Sequence, residues 1–303
     1  MNSIKPVYKA VIPVAGLGTR MLPATKAIPK ELLPIYDRPI IEHVVKEAIS
    51  GGIREIIFIT RSGKETIENH FDAHYELEHR LLKRGKQKIF EKITRIIPDD
   101  IKISSIRQVD ALGLGHAILC AKHLVNDEPF AILLPDVLVL DKKTRKNNFS
   151  FSQLANAWST TGKSQLMIEQ VDSESIEKYG IVDPIEKKIS LFETISIKGL
   201  VEKPPLQHAP SNLAIVGRYI LSPKIFDLLE GLKPGVGGEI QLTDALSKLL
   251  DFEGLNALKT DASVFDCGNK LGFLSANLAV GMRDQQSRAI IHALLHQLID
   301  NDF

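Results

Sequence analysis

The chain has 303 residues, 44% of them hydrophobic, with a net charge of +1. That length and apolar content support a sizeable α/β core and exclude wholesale disorder. The near-zero charge gives no support to a broad nucleic-acid or membrane-binding surface, so any anion binding must rest on local cations.

Lys9 to Val14 is a short apolar run, expected as a buried strand. It runs into Ala15, Gly16, Leu17, Gly18, Thr19 and Arg20. Two closely spaced glycines permit a tight turn whose backbone amides can approach a ligand, and such a loop at the end of a parallel strand suits phosphate oxygens. Arg20 adds a fork of donors. Pro23, Pro29 and Pro34 rule out one long helix and leave Lys26 and Lys30 on a stiff segment. The loop does not complete a dinucleotide fingerprint, because Met21 stands at the third glycine position.

Pro39 to Ser50 has helical spacing closed by Gly51 and Gly52, and residues 53–60 read as a strand. The order predicts one βαβ unit and a parallel pair of strands. Residues 62–97 are charged and helix-like, a predicted insertion packed on the sheet or on another subunit. His70 and His74 lie four apart there, on what reads as a solvated helical face; the Glu of a metalloprotease pattern is missing. Residues 102–108 read as a strand ending at Gln108. A second glycine-bearing loop follows through Gly113, then a helix over about 115–123. Residues 129–135 form a strongly apolar strand, and Asp136 stands at its C-terminal end, where ligands gather in open α/β sheets.

Lys142 to Asn148 reads as a solvated basic turn, 150–158 as a helix and 164–171 as a strand. Ala157 to Ser164 mimics a phosphate-loop motif, but with a helix before it and a strand after it, the reverse of what that motif needs. Tyr179 to Pro184 is a strand carrying Gly180, followed by a hairpin through Lys187 and Lys188. The strand 195–201 leads to Glu202 and Lys203. Residues 212–221 form a strand opening on Asn212. Ser222 and Pro223 read as a cap and first residue of a helix over 224–229. A flexible turn at 234–238 precedes a helix over 239–250. Short strands at 257–260 and 263–265 end at Asp266, and helices over 271–282 and 287–298 close the chain.

Cys120 and Cys267 form neither a disulfide framework nor a zinc pattern. With no signal peptide and no apolar run of spanning length, the expected setting is the reducing cytosol, with no membrane partner. The candidate chemistry is substitution at phosphorus. Arg20, Lys30 and Lys203 would neutralise charge, and two strand-end aspartates suit a magnesium ion completed by water and phosphate.

The run GLGTRMLPATKAIPKELLP from Gly16 resembles the sugar-1-phosphate nucleotidyltransferases. So do GLGHA from Gly113, LPD from Leu134, YGIVD from Tyr179, VEKP from Val201, SNLAIVGRY from Ser211, EIQLTDA from Glu239 and DCGNKLG from Asp266. Their order is that of the bacterial branch acting on UTP and glucose 1-phosphate. The resemblance implies a Rossmann-like three-layer α/β sandwich with a central, mainly parallel mixed sheet and C-terminal helices. It implies a nucleotidyltransferase domain over 1–283 and a helix over 284–303 available for subunit contact in a homodimer or homotetramer. It implies that Ala15, Gly16, Leu17, Gly18, Thr19, Arg20 and Lys30 bind the triphosphate, and that Gln108 and Gly113 read the base. Asp136 and Asp266 would hold Mg2+; Gly180, Glu202 and Asn212 would face the sugar; Lys203 would meet its phosphate. The products would be UDP-glucose and pyrophosphate. Leu112, Gly238 and the Leu140–Asp141 pair depart from the usual pattern. They leave open a thymidylyltransferase of the same fold or a weakly active regulatory relative.

Overall fold

The computed structural model describes residues 4–142, 149–186, 188–235 and 238–300, without the side chains of 296 and 298–300. In chain order, β1 (Lys9–Pro13) leads to β2 (Pro34–Ile35), β3 (Arg38–Pro39), α1 (Ile40–Ser50) and β4 (Glu55–Thr60). Then come α2 (Glu65–Asn69), α3 (Tyr75–Lys83), α4 (Gln87–Thr94), β5 (Lys102–Arg107), α5 (Leu114–Leu119), α6 (Lys122–Val125), β6 (Phe130–Leu133) and β7 (Val137–Leu140). The middle of the chain carries α7 (Phe149–Thr161), β8 (Ser164–Gln170), β9 (Gly180–Pro184), β10 (Thr194–Glu202), β11 (Leu213–Leu221), α8 (Lys224–Glu230) and α9 (Leu242–Glu253). Strands β12 (Leu255–Lys259) and β13 (Ser263–Asp266) precede α10 (Lys270–Gly281) and α11 (Gln285–Asp300).

Nine strands form one sheet in the order β5-β4-β1-β6-β11-β8-β12-β10-β9. The neighbours β5-β4, β4-β1, β1-β6 and β8-β12 are parallel, and only β11 and β10 run against the rest. The sheet is therefore mixed, as expected, but less parallel than expected: four of its eight neighbouring pairs are antiparallel, because β11 and β10 are each inserted between strands of the other direction. Both faces are covered, which explains the unbroken apolar runs of β1, β4 and β6. Alternate residues serve opposite layers. Val11, Ile57 and Ile59 pack with α5, α8 and α9 on one side; Ala10, Ile12, Ile56 and Phe58 pack with α1 and α7 on the other.

Several expectations shift. The predicted insertion is three helices, α2 to α4, and the single helix over 115–123 is two short ones. His70 and His74 do not share a helix: His70 follows α2 with Nε2 3.3 Å from Glu42 Oε2, and His74 caps α3 by accepting from Leu77 N. Ser222 makes no side-chain cap to α8; its hydroxyl is buried without a partner among the described residues. Helix α9 begins at Leu242, three residues late, because Ile240 is bound elsewhere. Strand β7 escaped prediction because Pro135 and Asp136 interrupt one long apolar run. Residues 143–148 of the basic turn, Lys187 of the hairpin and 236–237 of the flexible turn lie outside the described residues. No helix among the described residues is long and apolar enough to cross a membrane.

Candidate active site

The loops following β1, β4, β5 and β6 meet at the C-terminal edge of the parallel strands, where an open α/β sheet leaves its crevice. The residues after β1 form the glycine loop, which turns at Gly18 with φ 69°. Thr25 Oγ1 donates to the Gly18 carbonyl at 2.8 Å, folding the loop over Lys30. A side chain at Gly16 would lie 3.5 Å from Lys30 Nζ, so the bare backbone there leaves the ammonium uncovered. Among the described residues, no partner engages the amides of Gly16, Leu17 or Gly18. Lys30 rises from a short 3-10 turn toward this loop. The next residue, Glu31, points the opposite way into the core and pairs with Lys64 at 2.6 Å.

Lys30 Nζ donates to Asp136 Oδ2 at 2.6 Å, and Arg20 Nη1 donates to Asp266 Oδ2 at 2.9 Å. Arg20 Nη2 also lies 3.8 Å from Asp136 Oδ2. Burial works against the Asp136 carboxylate, but the Lys30 charge and hydrogen bond, with Arg20 behind them, hold its pKa below the usual range. Burial likewise opposes the Lys30 charge, and Asp136 overcomes it to raise that pKa. The two aspartates come from separate elements: Asp136 precedes β7 and Asp266 ends β13, and these strands pair in the register Asp266 to Val137. The Cys267 amide donates to the Asp136 carbonyl at 2.8 Å and locks the two turns together. Gly268 marks where the groups converge. A Cβ there would sit 2.6 Å from Arg20 Nη2, 2.6 Å from Asp136 Oδ2 and 2.9 Å from Asp266 Oδ1. Burial, with Asp136 and Asp266 close by, pushes the Cys267 thiol up to about 12, so it stays protonated and is no nucleophile at neutral pH.

Two cavities flank this cluster. One, of about 370 Å³, is lined by Ala15 to Thr19, Lys30, Gln108 and Gly113. The other, of about 530 Å³, is lined by Arg20, Tyr179, Gly180, Glu202, Lys203 and Asp266. Asp136 lines both. In the first, Gln108 is buried, and its Nε2 donates to the Gly113 carbonyl at 3.2 Å and lies 3.1 Å from His116 Nδ1. Gly113, at φ 94°, must be glycine, because a Cβ would meet Glu239 Cβ at 2.8 Å. In the second, Gly180 and Glu202 are register partners on β9 and β10. Glu202 Oε2 lies 3.2 Å from where a Gly180 side chain would begin. Glu202 accepts from Thr243 Oγ1 at 2.6 Å, and Lys203 Nζ stands 3.3 Å from its other oxygen. Lys203 adopts φ 44°, a left-handed backbone unusual for a side-chain-bearing residue and a form of strain that gathers at functional sites.

The structure thus brings together every site residue expected from sequence except Asn212. That residue borders a separate groove with Asp183, Lys198 and Lys259, and its carbonyl accepts from Val171 N. β11 meets the second cavity further along, at Ile215, Val216, Gly217 and Tyr219. Sequence reasoning missed His116, Glu239 and Thr243. Only the helix-like pattern of the 239–250 stretch was visible there, and it hid that residues 239–241 lie outside the helix. Two of the departures from the family pattern, Asp141 and Leu112, have visible local settings. Asp141 is buried, capping α7 through the Ser150 amide and hydroxyl, so it takes no part in the site. Leu112 presents its carbonyl to Ile240 N at 2.7 Å, a bond no side chain at 112 controls.

A Gly loop after the first strand, two neighbouring strand-end aspartates and two abutting cavities suit the joining of two phosphate-bearing ligands. The nucleotidyl transferase family profile matches residues 9–282, and the chain belongs to that family. Within it, the chain is 47% identical to the UTP--glucose-1-phosphate uridylyltransferase of Haemophilus ducreyi over 96% of its own length and 100% of the relative's. It also superimposes on a UTP-bound UGPase from Acinetobacter baumannii with a TM-score of 0.88 and 43% identity, covering 96% of this chain and 99% of the other. A UDP-glucose pyrophosphorylase complexed with UDP-glucose matches with a TM-score of 0.81 and 36% identity, covering 92% and 100%.

Proposed function

We propose that the chain catalyses transfer of the uridylyl group of UTP to glucose 1-phosphate, giving UDP-glucose and pyrophosphate. The observation that carries this reading is the position of Asp136, which borders both cavities while held by Lys30 at 2.6 Å. One cavity has the unpartnered loop amides that suit a triphosphate. The other has a carboxylate and an ammonium side by side, suited to sugar hydroxyls and a sugar phosphate. The names of the relatives supply UTP and glucose as the two substrates.

In this reading an oxygen of the sugar phosphate attacks the α-phosphorus of UTP. A P–O bond forms as the bond to pyrophosphate breaks. The attacking phosphate is already anionic near neutral pH, so no side chain need remove a proton. The work of the protein is to hold two anions together and to balance the charge of the departing one. Lys30 exchanges its carboxylate partner for a phosphate oxygen, and Arg20 reaches the same group from the other side. Gln108 and the Gly113 backbone read the base edge. Glu202 accepts from sugar hydroxyls and Lys203 holds the sugar phosphate. Asp136 and Asp266 fit a magnesium ion in that Asp136 Oδ2 and Asp266 Oδ1 lie close enough together beside Gly268 to share one, with Arg20 Nη2, now between them, giving way. Two carboxylates with phosphate and water make a suitable oxygen shell for that ion. Bound there, it would neutralise phosphate charge.

The domain reading is that residues 1–283 form one nucleotidyltransferase unit and that 284–303 contribute a subunit contact in a homodimer or homotetramer within the cytoplasm. The exposed Leu294 and Leu295 of α11 support the contact. Purified protein supplied with magnesium, glucose 1-phosphate and each nucleoside triphosphate in turn tests the reaction. Pyrophosphate release with UTP supports it. Release mainly with dTTP, or nucleotide binding without release, overturns it.

A further inference from the structure

Among the described residues Arg218 is the largest side chain wholly withdrawn from solvent, at 0% exposure, and it lies beneath the turn that carries Asp136. Its Nε and Nη2 donate to the two oxygens of Glu47, each at 2.8 Å, so its charge is balanced by a bidentate partner on α1. Its remaining donors go elsewhere. Nη2 reaches the Val137 carbonyl at 2.7 Å, and Nη1 reaches the carbonyls of Leu134 and Gly217 at 3.2 Å each. Leu134 and Val137 bracket Pro135 and Asp136. The Leu134 amide in turn donates to the Gly217 carbonyl at 3.0 Å. Gly217, at φ 71°, is required for this approach, because a side chain there would meet Leu134 Cδ1 at 2.7 Å. One guanidinium thus holds both ends of a turn whose only polar side chain faces the two cavities.

A buried ion pair is costly to desolvate, and apolar residues of similar volume often serve stability as well. Stability alone is therefore a weak reason for an Arg–Glu pair at this place. A rigid fork that satisfies two carbonyls in fixed directions is something no apolar residue supplies. We propose that Arg218, balanced by Glu47, is a positioning residue: it sets the Asp136 turn so that the carboxylate faces the point it shares with Asp266. The inference rests on the metal-assisted reading given above, and it concerns two residues that touch neither substrate.

The test is Mn2+ binding by the full-length protein with UTP present and glucose 1-phosphate withheld, followed by electron paramagnetic resonance. The variants are Arg218→Lys, Glu47→Gln and, as a comparator, Phe226→Leu. Phe226 is buried against Phe130 in the core on the opposite face of the sheet. Arg218→Lys should weaken Mn2+ at least tenfold and Glu47→Gln at least threefold, with the comparator within twofold of the parent. Thermal melting separately confirms folding. The proposal is overturned if the folded variants hold Mn2+ within twofold of the parent, or if the comparator loses as much. It is also overturned if neither variant folds, since the pair is then structural. Failure of the parent itself to bind Mn2+ would instead remove the metal reading beneath it.

Discussion

Lys30 Nζ lies 2.6 Å from Asp136 Oδ2, each side chain 15% exposed, at the wall between two cavities. In the proposed reaction an arriving phosphate would take the ammonium, and the freed carboxylate would turn to a cation. Asp136→Asn keeps the shape and removes the charge. Turnover should fall by about 10²–10³, the scale on which single electrostatic contacts to a transition state act, while circular dichroism stays that of the parent. A variant within threefold of parental kcat would remove Asp136 from the mechanism.

The same pair has an acid signature. Burial opposes the Asp136 charge, but Lys30 more than offsets it, and the folded pKa is depressed. Its contribution to stability is therefore complete above the ordinary carboxylate pKa and is lost as pH falls through the depressed folded value. Acid unfolding curves of the parent should be steeper than those of Asp136→Asn. Identical acid limbs would contradict the pairing.

Gly268→Ala probes the meeting point. The new methyl would stand 2.6 Å from both Arg20 Nη2 and Asp136 Oδ2, closer than real side chains come. Gly268 does not use a left-handed backbone, so the fold should tolerate alanine. Activity should drop at least tenfold with little change in melting temperature. An unimpaired variant would show that these groups do not act at one point.

How far this site was legible from sequence varies by residue. Strand-end positions could be read, because an apolar run ending in a polar residue places that residue at the sheet edge; Asp136 and Asp266 were found this way, whereas Arg20 and Lys30 were read from the glycine loop and the proline-punctuated segment after it. The nine-stranded order could not, since β11 and β10 reverse direction through long-range pairing. Asn212 was drawn toward the sugar by its place in a motif, but β11 reaches the cavity only from Ile215 onward. Thr243 was hidden by helix periodicity. The bonds of Ile240 to Leu112 and Gly115 pull the preceding residues out of the helix, and nothing local signals them.

Thr243 gives a prediction of its own. Its hydroxyl donates to Glu202 at 2.6 Å and so fixes the carboxylate beside Gly180. A hydrogen bond to a charged group is worth about 1.5–3 kcal/mol. Thr243→Val should raise KM for glucose 1-phosphate about tenfold and leave KM for UTP unchanged. A rise confined to UTP would exchange the roles assigned to the two cavities.

Glu169 on β8 is partly buried, its carboxylate has no hydrogen bond or ion pair among the described residues, and burial raises its pKa to about 7. Its neutral form is favoured in the folded state, so stability should decline as pH rises from the ordinary glutamate pKa toward and past neutrality. Glu169→Gln should raise the melting temperature at pH 8 and leave it nearly unchanged at pH 4. An equal gain at both values would show that burial does not perturb this group.

The most direct check is a crystal of the protein grown with UTP and Mn2+, with the metal located by anomalous scattering. A peak bonded to Asp136 and Asp266, with Lys30 released to a phosphate oxygen, is the predicted result. A peak away from both carboxylates, with Lys30 and Arg20 still paired to them, would contradict the account.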